Sequence, residues 1–251
     1  MHNLVIDIGN TNHKLAIFSG RDLIHFQHAK QISTAVIKDL ISKYEVTSSS
    51  ISSVSEAHHE LISLLEKETR FCPFTTSLEL GVKNRYKTPE TLGLDRWAKV
   101  VAANHDYEGT ACFIIDAGTC ITYDLLNSDS VYFGGSISPG IGMRFAALNF
   151  YTKRLPLVDW NSSETQIPEG SDTITAIKNG VLRGIVNEVE GNIAIENKIN
   201  NGLRVLITGG DATFLLEQLK NSIFAPQITH DPYLVLKGLN EVIAFEYVQK
   251  D

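Results

Sequence analysis

The sequence predicts an α/β protein made of two related lobes. Three observations carry the prediction. Apolar strand patterns alternate with segments of helical spacing along most of the chain. The tract Asp7-Ile8-Gly9-Asn10-Thr11 recurs as Asp116-Ala117-Gly118-Thr119, each copy following one apolar strand and preceding another. Finally, 251 residues with 43% hydrophobic and 20% charged composition suffice for one large domain or two modest ones. The repeat favours two, with lobes expected at residues 1–108 and 109–251.

Residues 3–8 (NLVIDI) and 14–19 (KLAIFS) read as strands joined by a tight Gly-Asn turn, and 23–27 (LIHFQ) as a third, so the chain opens as a meander. Residues 34–44 (TAVIKDLISKY) have helical spacing, 50–54 (SISSV) reads as a short strand, and 58–69 is again helical. By composition the serine run around residue 50 is linker-like. The β-branched residues inside it and the periodic segments on both sides favour a strand. Gly93-Leu94-Asp95-Arg96 introduces a helix carrying Trp97, Val100, Val101 and Asn104.

The pattern restarts with CFIIDAGTCITYDLL at 112–126 and VYFGGSISPG after it. A helix follows over about 140–150, then a polar loop near 160–172. A long helix is expected from Thr173 to Asn197, with Ile174, Ile177, Val181, Ile185 and Val189 on one stripe. Gly180, Gly184 and Gly191 each weaken it by ~1 kcal/mol relative to alanine, which implies close approach of another helix, from this chain or a second copy. Strand 203–208, the turn Gly209-Gly210-Asp211, a helix over 212–220 and a last helix from Asp231-Pro232 complete the chain.

The bulk numbers exclude some classes. A net charge of −7 leaves no broad basic surface, so nucleic acid is not the expected partner. Cys72, Cys112 and Cys120 show no paired spacing, no signal segment opens the chain, and no apolar run approaches the ~20 residues that span a bilayer. A soluble, cytoplasmic protein is expected. His58-His59 reads as a solvated helix face, Cys120 as a packing residue, and Trp97, Phe145, Phe150 and Tyr151 as core or subunit contacts.

An Asp-Gly-Thr turn between strands does what phosphate chemistry needs. Glycine lets backbone N–H groups approach an anion, threonine adds a donor, the carboxylate can hold the accompanying cation, and Lys14 can add a positive charge. Taken alone, DIGNTN is equally an ordinary hairpin turn. Two copies and the later TGGDA turn favour nucleotide. Neither GxxxxGK[ST] nor a helix-opening GxGxxG is present. These strand-turn-strand loops resemble those of the acetate and sugar kinase, heat-shock ATPase and actin superfamily. That resemblance implies two ribonuclease-H-like (actin-like ATPase) lobes with ATP in the cleft between them, and ITGGDA at 207–212 as the adenosine turn.

Asp95 has two readings. It can cap the helix that follows, or accept the proton of a substrate hydroxyl attacking a γ-phosphate, with Arg96 beside it. The two are compatible, because a carboxylate fixed at a helix start is well positioned.

Seven motifs in order resemble type III pantothenate kinase over nearly the whole chain: DIGNTN at 7–12, Tyr86 with Pro89, GLDR at 93–96, DAGTCITYD at 116–124, GGSISPG at 134–140, DTITAIKNG at 172–180, and TGGDA at 208–212. The resemblance implies phosphorylation of pantothenate by ATP, giving 4'-phosphopantothenate, the first step of coenzyme A synthesis. It implies ATP contacts from Asp7, Ile8, Gly9, Asn10, Thr11, Asn12, His13, Lys14 and Thr119, and pantothenate contacts from Tyr86, Gly93, Leu94, Asp95, Arg96 and Thr173. It further implies Asp95 as proton acceptor, Asp116 as ligand of a monovalent cation (K+ or NH4+), Mg2+ or another divalent ion with ATP, and a homodimer. Ala16 stands where many members have glycine, and Lys14 where many have an aliphatic residue, which leaves the contact of Lys14 with ATP open. Two other functions also stay open. A non-catalytic relative serving as an accessory factor for transcription would dispense with Asp95 or Asp116. A superfamily ATPase or phosphatase would place water beside Asp95.

Overall fold

The computed structural model describes residues 1–9, 12–53, 59–78 and 80–248. In chain order its strands and helices are β1 (His2–Ile8), β2 (His13–Ser19), β3 (Asp22–Ala29), α1 (Thr34–Tyr44), β4 (Val46–Ser53), α2 (His59–Glu68), β5 (Arg70–Phe71), β6 (Lys83–Asn84) and α3 (Leu94–Asp106). They continue with β7 (Cys112–Ala117), β8 (Cys120–Leu126), β9 (Val131–Pro139), α4 (Ile141–Tyr151), α5 (Thr173–Ile199), β10 (Arg204–Thr208), α6 (Ala212–Leu219), β11 (Ile228–His230) and α7 (Leu234–Val248). The chain forms two compact units: Met1–Glu108 with Ser130–Phe133 and Tyr233–Asp251, and Gly109–Asp129 with Gly134–Pro232.

In the first unit the sheet order is β3-β2-β1-β4-β5. β1, β2 and β3 form the antiparallel meander, and β4 runs parallel to β1 and to β5. Alternation along β1 turns Leu4, Ile6 and Ile8 toward a core completed by Leu15, Ile17, Ile37, Leu40, Leu61 and Leu65. The same alternation turns Asn3, Val5 and Asp7 to the opposite face, where the Asn3 amide donates to the Asn240 side chain of α7 at 2.9 Å. The serine run is part of this sheet. β4 begins at Val46, earlier than the pattern at 50–54 suggests, because the parallel ladder with β1 extends from Val46 to Ser53. Ser48, Ser49, Ser50 and Ser52 are buried, and the hydroxyls of Ser49 and Thr69 are 2.6 Å apart. Val54 lies outside the described residues, as does His58; His59 is exposed at the start of α2.

The last helix joins the first unit and not the second, unlike a single cut after residue 108. The physical reason is packing: α7 lies on α3 and β1. At its crossing with α3, a Cβ on Gly238 would lie 1.9 Å from the Ala98 carbonyl oxygen, so only glycine allows this approach.

In the second unit the order is β11-β10-β7-β8-β9. β7 is antiparallel to β8 and parallel to β10, which is parallel to β11. Strand for strand this repeats the first sheet, with β7 in the place of β1 and β10 in the place of β4. The two residues of β6 pair with Val131 and Tyr132, which belong to the first unit.

The core of the second unit gathers Phe113, Ile115, Phe145, Phe214 and the buried stripe Ile177, Val181, Leu182, Ile185, Val189 and Ile193 of α5. Ile174 is exposed, so the stripe starts one turn later than the spacing suggests. Gly180, Gly184 and Gly191 face open space: among the described residues, and apart from the neighbouring backbone of α5 itself, no atom lies within 4 Å of the Cβ each lacks, so approach by another described helix does not explain them. Trp97 and Phe145 are core, while Phe150 and Tyr151 are exposed. Among the described residues no helix is long and apolar enough to cross a membrane.

Candidate functional site

In the first unit, β1 and β2 bring the first hairpin to its turn. Asp7 is buried and stands opposite Lys14 in the ladder, while Ile8 stands opposite His13. Opposed residues of an antiparallel pair share a face, so the carboxylate and ammonium are cross-strand neighbours. A Cβ on Gly9 would lie 2.8 Å from the Asn12 carbonyl oxygen, which explains glycine at the entry to the loop. Asn12 is exposed; Asn10 and Thr11 lie outside the described residues. The buried Nδ1 of His13 has no hydrogen-bond partner among the described residues. Lys14, half-buried on the other face of β2, places a positive charge near the loop.

The second element of this unit is the head of α3. Gly93 is the N-cap, so Asp95 lies inside the first turn and does not cap the helix by its side chain. It still benefits from the positive end of the helix. The Lys99 ammonium, one turn on, donates to Asp95 Oδ2 at 3.1 Å. Lys99 has no exposed surface, whereas the Asp95 side chain is 46% exposed. On the other side, a Cβ at Gly93 would come within 2.7 Å of Asp95 Oδ1. Burial pushes the Asp95 carboxyl up, but the Lys99 ammonium, the Arg96 backbone N–H and the Arg96 guanidinium together hold it below the ordinary aspartate value. Arg96 is itself buried, its guanidinium 5.8 Å from the Tyr86 ring centroid. Tyr86 stacks on Tyr132 at 6.2 Å, and Tyr132 meets Trp97 at 5.9 Å. The structure thus brings Tyr86, Gly93, Leu94, Asp95 and Arg96 into one cluster and adds Lys99, which sequence reasoning missed. Its i,i+4 spacing from Asp95 was a readable signal.

In the second unit, Asp116 and Ala117 end β7, and Gly118 and Thr119 form the turn into β8, closed by the Gly118 N–H donating to the Cys120 carbonyl at 3.0 Å. Thr119 is exposed at the tip. Two glycines seat neighbouring segments on this turn. The Gly140 N–H donates to the Thr119 carbonyl at 3.1 Å, and a Cβ there would lie 2.2 Å from the Gly118 carbonyl oxygen. Gly209 has φ 98°, and its Cβ would lie 2.3 Å from the Ala117 carbonyl oxygen and 2.5 Å from Asp116 Oδ1. The end of β7 is therefore closely packed: the Ala117 carbonyl accepts from the Asp211 N–H at 2.9 Å and the Thr119 carbonyl from the Gly140 N–H, with the Asp116 carboxylate beside them.

Helices α4 and α6 start at this turn with N-caps Gly140 and Asp211, neither of which caps by its side chain, and the first N–H of α6, that of Ala212, donates to the Gly209 carbonyl at 3.3 Å. Burial pushes the Asp211 carboxyl up to about 6. A further group supports the turn from behind. Arg144 donates to Glu188 Oε2 at 2.5 Å, to the Ser138 hydroxyl at 2.8 Å and to the Pro139 carbonyl at 2.9 Å, while the Tyr123 hydroxyl donates to Glu188 Oε1 at 2.8 Å. Burial pushes Glu188 up, but its bonds from Arg144 and Tyr123 hold it below the ordinary glutamate value. Cys120 is half-buried, with its sulfur 3.7 Å from that of Met143. Thr173 is exposed at the first position of α5, behind a capping box of Asp172 and Thr175.

Comparison with known proteins decides the family. A family model described as type III pantothenate kinase matches residues 3–195. The chain belongs to the type III pantothenate kinase family. A type III pantothenate kinase from Phocaeicola vulgatus is 41% identical over 245 residues, covering 97% of this chain and 98% of the relative. One from Christiangramia forsetii is 40% identical over 249 residues, covering 98% and 100%.

Among solved structures, a Baf family protein from Campylobacter jejuni matches with TM-score 0.61 at 22% identity, covering 98% of this chain and 99% of that one. An activator of 2-hydroxyisocaproyl-CoA dehydratase from Clostridium difficile, solved with bound ADPNP, matches with TM-score 0.56 at 15% identity, covering 100% and 96%. At these identities the likeness shows the fold alone, that of the actin-like ATPases and sugar kinases. Membership of a pantothenate kinase family implies ATP with a divalent cation. Among the described residues no group of three or more His, Cys, Asp or Glu forms a ready cage for an ion.

Proposed function

We propose that this chain transfers the γ-phosphoryl group of ATP to the primary hydroxyl of pantothenate, producing 4'-phosphopantothenate for coenzyme A synthesis. The observation that carries the reading is the head of α3: a carboxylate held between a buried lysine and a glycine, in a chain whose whole length matches enzymes named for this activity. As the substrate oxygen attacks the γ-phosphorus, its proton passes to Asp95 and ADP departs. Most of the acceleration comes from positioning, which a carboxylate fixed in the first turn of a helix supplies.

In the same reading Asp7 to Lys14 form the first phosphate loop and Thr119 contacts ATP from the second. Tyr86, Gly93, Leu94, Arg96 and Thr173 hold pantothenate. Asp116 binds K+ or NH4+, and Mg2+ or another divalent ion travels with ATP. The exposed Gly180, Gly184 and Gly191, which share one face of α5 with the exposed Ile195, support a homodimer built on that face. The three free cysteines fit a reducing cytoplasm.

The accessory-factor alternative is not favoured, because Asp95 and Asp116 are both present and the full-length relatives carry the kinase name. The test is coupled ADP release with and without pantothenate, in potassium and in sodium. Turnover is expected to need pantothenate and to fall sharply in sodium. Substantial release without pantothenate would instead identify an ATPase.

A further inference from the structure

We propose that Lys99 is a positioning residue for the reaction: its buried ammonium holds Oδ2 of Asp95 and keeps that group anionic, leaving Oδ1 to take the substrate proton. The inference rests on Asp95 being the proton acceptor.

The burial asymmetry is the first support. An ordinary i,i+4 pair on a helix leaves both charges in water, where it contributes little. Here Lys99 is wholly buried and its partner is half-exposed. Burying an ammonium is costly, and an apolar side chain of similar length would serve packing better. The bond to Asp95 offsets part of that cost and places the ammonium where it acts on the carboxylate.

Geometry supplies the second support. With Oδ2 tied at 3.1 Å, the other oxygen lies over Gly93, where any larger residue would intrude. The two oxygens therefore have distinct tasks. When the alcohol proton arrives on Oδ1, Asp95 becomes a neutral acid and Lys99 stays protonated, so the pair goes from net zero to net positive as negative charge leaves with ADP.

The surroundings are consistent. Arg96, on the same helix, also faces Asp95, with Tyr86 behind its guanidinium. Of the elements packed on α3, β4 brings the non-titrating Ser48, Ser49, Ser50 and Ser52. On α7, Lys237 and Glu241 are engaged at the far end of α3: Lys237 pairs with Asp106, and Glu241 with Arg21 and His105.

The test is the pH profile of kcat/KM for pantothenate in the wild type, Lys99→Met, Lys99→Gln and Lys99→Arg, with chemical denaturation of each. Without the ammonium, burial acts on Asp95 with less opposition, so its acid limb should move up by about one unit or more in the Met and Gln variants, and return in the Arg variant. At pH values below both limbs their kcat/KM should be about tenfold lower than that of the wild type, with the difference vanishing as the pH rises and the KM for ATP unchanged. An acid limb coincident with wild type in either neutral variant overturns the proposal. Should both fail to fold, carbon-13 titration of the wild-type Asp95 carboxyl decides, since a midpoint at or above that of an ordinary aspartate overturns it equally. Near-normal turnover by Asp95→Asn would remove the acceptor role itself, an outcome separate from the behaviour of Lys99.

Discussion

Gly238→Ala tests whether the crossing of α7 and α3 is as close as the backbone geometry requires. In an isolated helix the change would stabilise by about 1 kcal/mol. Here the new Cβ would sit 1.9 Å from the Ala98 carbonyl oxygen and 2.5 Å from its carbon. Ordinary contact begins near 3.4 Å, so the backbones must part by 3.4 − 1.9 = 1.5 Å. Neither atom is a flexible side-chain end that can swing aside. Overpacking of this kind costs about 1–3 kcal/mol, and backbone-on-backbone contact belongs at the upper end. After the propensity gain, a net loss of about 1–2 kcal/mol is expected, read as a lowered urea midpoint at unchanged slope. The effect should also reach the chemistry, because Ala98 lies one turn beyond Asp95 on α3. A shift of about 1 Å in a reacting group can lower kcat by about 10². A variant as stable as wild type, with unchanged kcat, would refute the close crossing and the coupling together.

The remaining predictions concern the site and its supports. Asp95→Asn should keep the fold and ATP binding while lowering kcat by about 10² or more, measured by coupled ADP release. Gly184→Ala meets open space within the chain, so on helix propensity alone it should stabilise by about 1 kcal/mol in thermal unfolding; if a second copy covers this face, the same variant should weaken the dimer on dilution, which light scattering would detect. Glu188→Gln removes the charge that pairs with Arg144. Because the folded Glu188 carboxyl titrates below its ordinary value, its stabilisation is present above that ordinary value and is lost as pH falls through the folded one. The Tm difference between wild type and this variant should therefore shrink in acid, and a difference independent of pH would sink the assignment.

Much of this architecture was legible because it rests on local patterns. The two Asp-Gly hairpins, the stripe on α5 and the helix after Gly93 each follow from a few residues with clear periodicity. What was not legible depended on distant partners. β5, β6 and β11 have two or three residues each and exist only because a longer strand offers an edge. β4 runs four residues further toward the N-terminus than its β-branched core suggests, since β1 supplies the ladder. α7 follows the second sheet in sequence, yet its apolar face and Gly238 fit α3. At the candidate site, the place of Asp95 in the first turn of a helix was readable from GLDR, whereas the burial of Lys99 was not, because a lysine one turn after an aspartate usually lies on a solvated face. Gly140 and Gly209 looked like turn glycines. Their purpose, to let two segments rest on the backbone of 116–119, appears only with the strands in place.

The repeated topology makes the differences between the hairpins informative. β1 and β7 occupy equivalent positions, and Asp7 and Asp116 stand at equivalent points near their ends. Opposite Asp7 the ladder places Lys14; opposite Asp116 it places Thr122. The first turn is longer, running from Ile8 to His13, and is bordered by an ammonium and an orphaned imidazole nitrogen. The second runs from Ala117 to Ile121 and is bordered by main-chain carbonyls, with a buried Thr122 hydroxyl that finds no partner among the described residues. The first hairpin therefore sets a lysine across from its aspartate, so the charge at position 14 faces a carboxylate in the ladder, whereas the second sets a threonine there and uses its turn carbonyls to seat Gly140 and Asp211. Duplication supplies two copies of one frame, and substitutions at matched ladder positions give the two turns different chemistry.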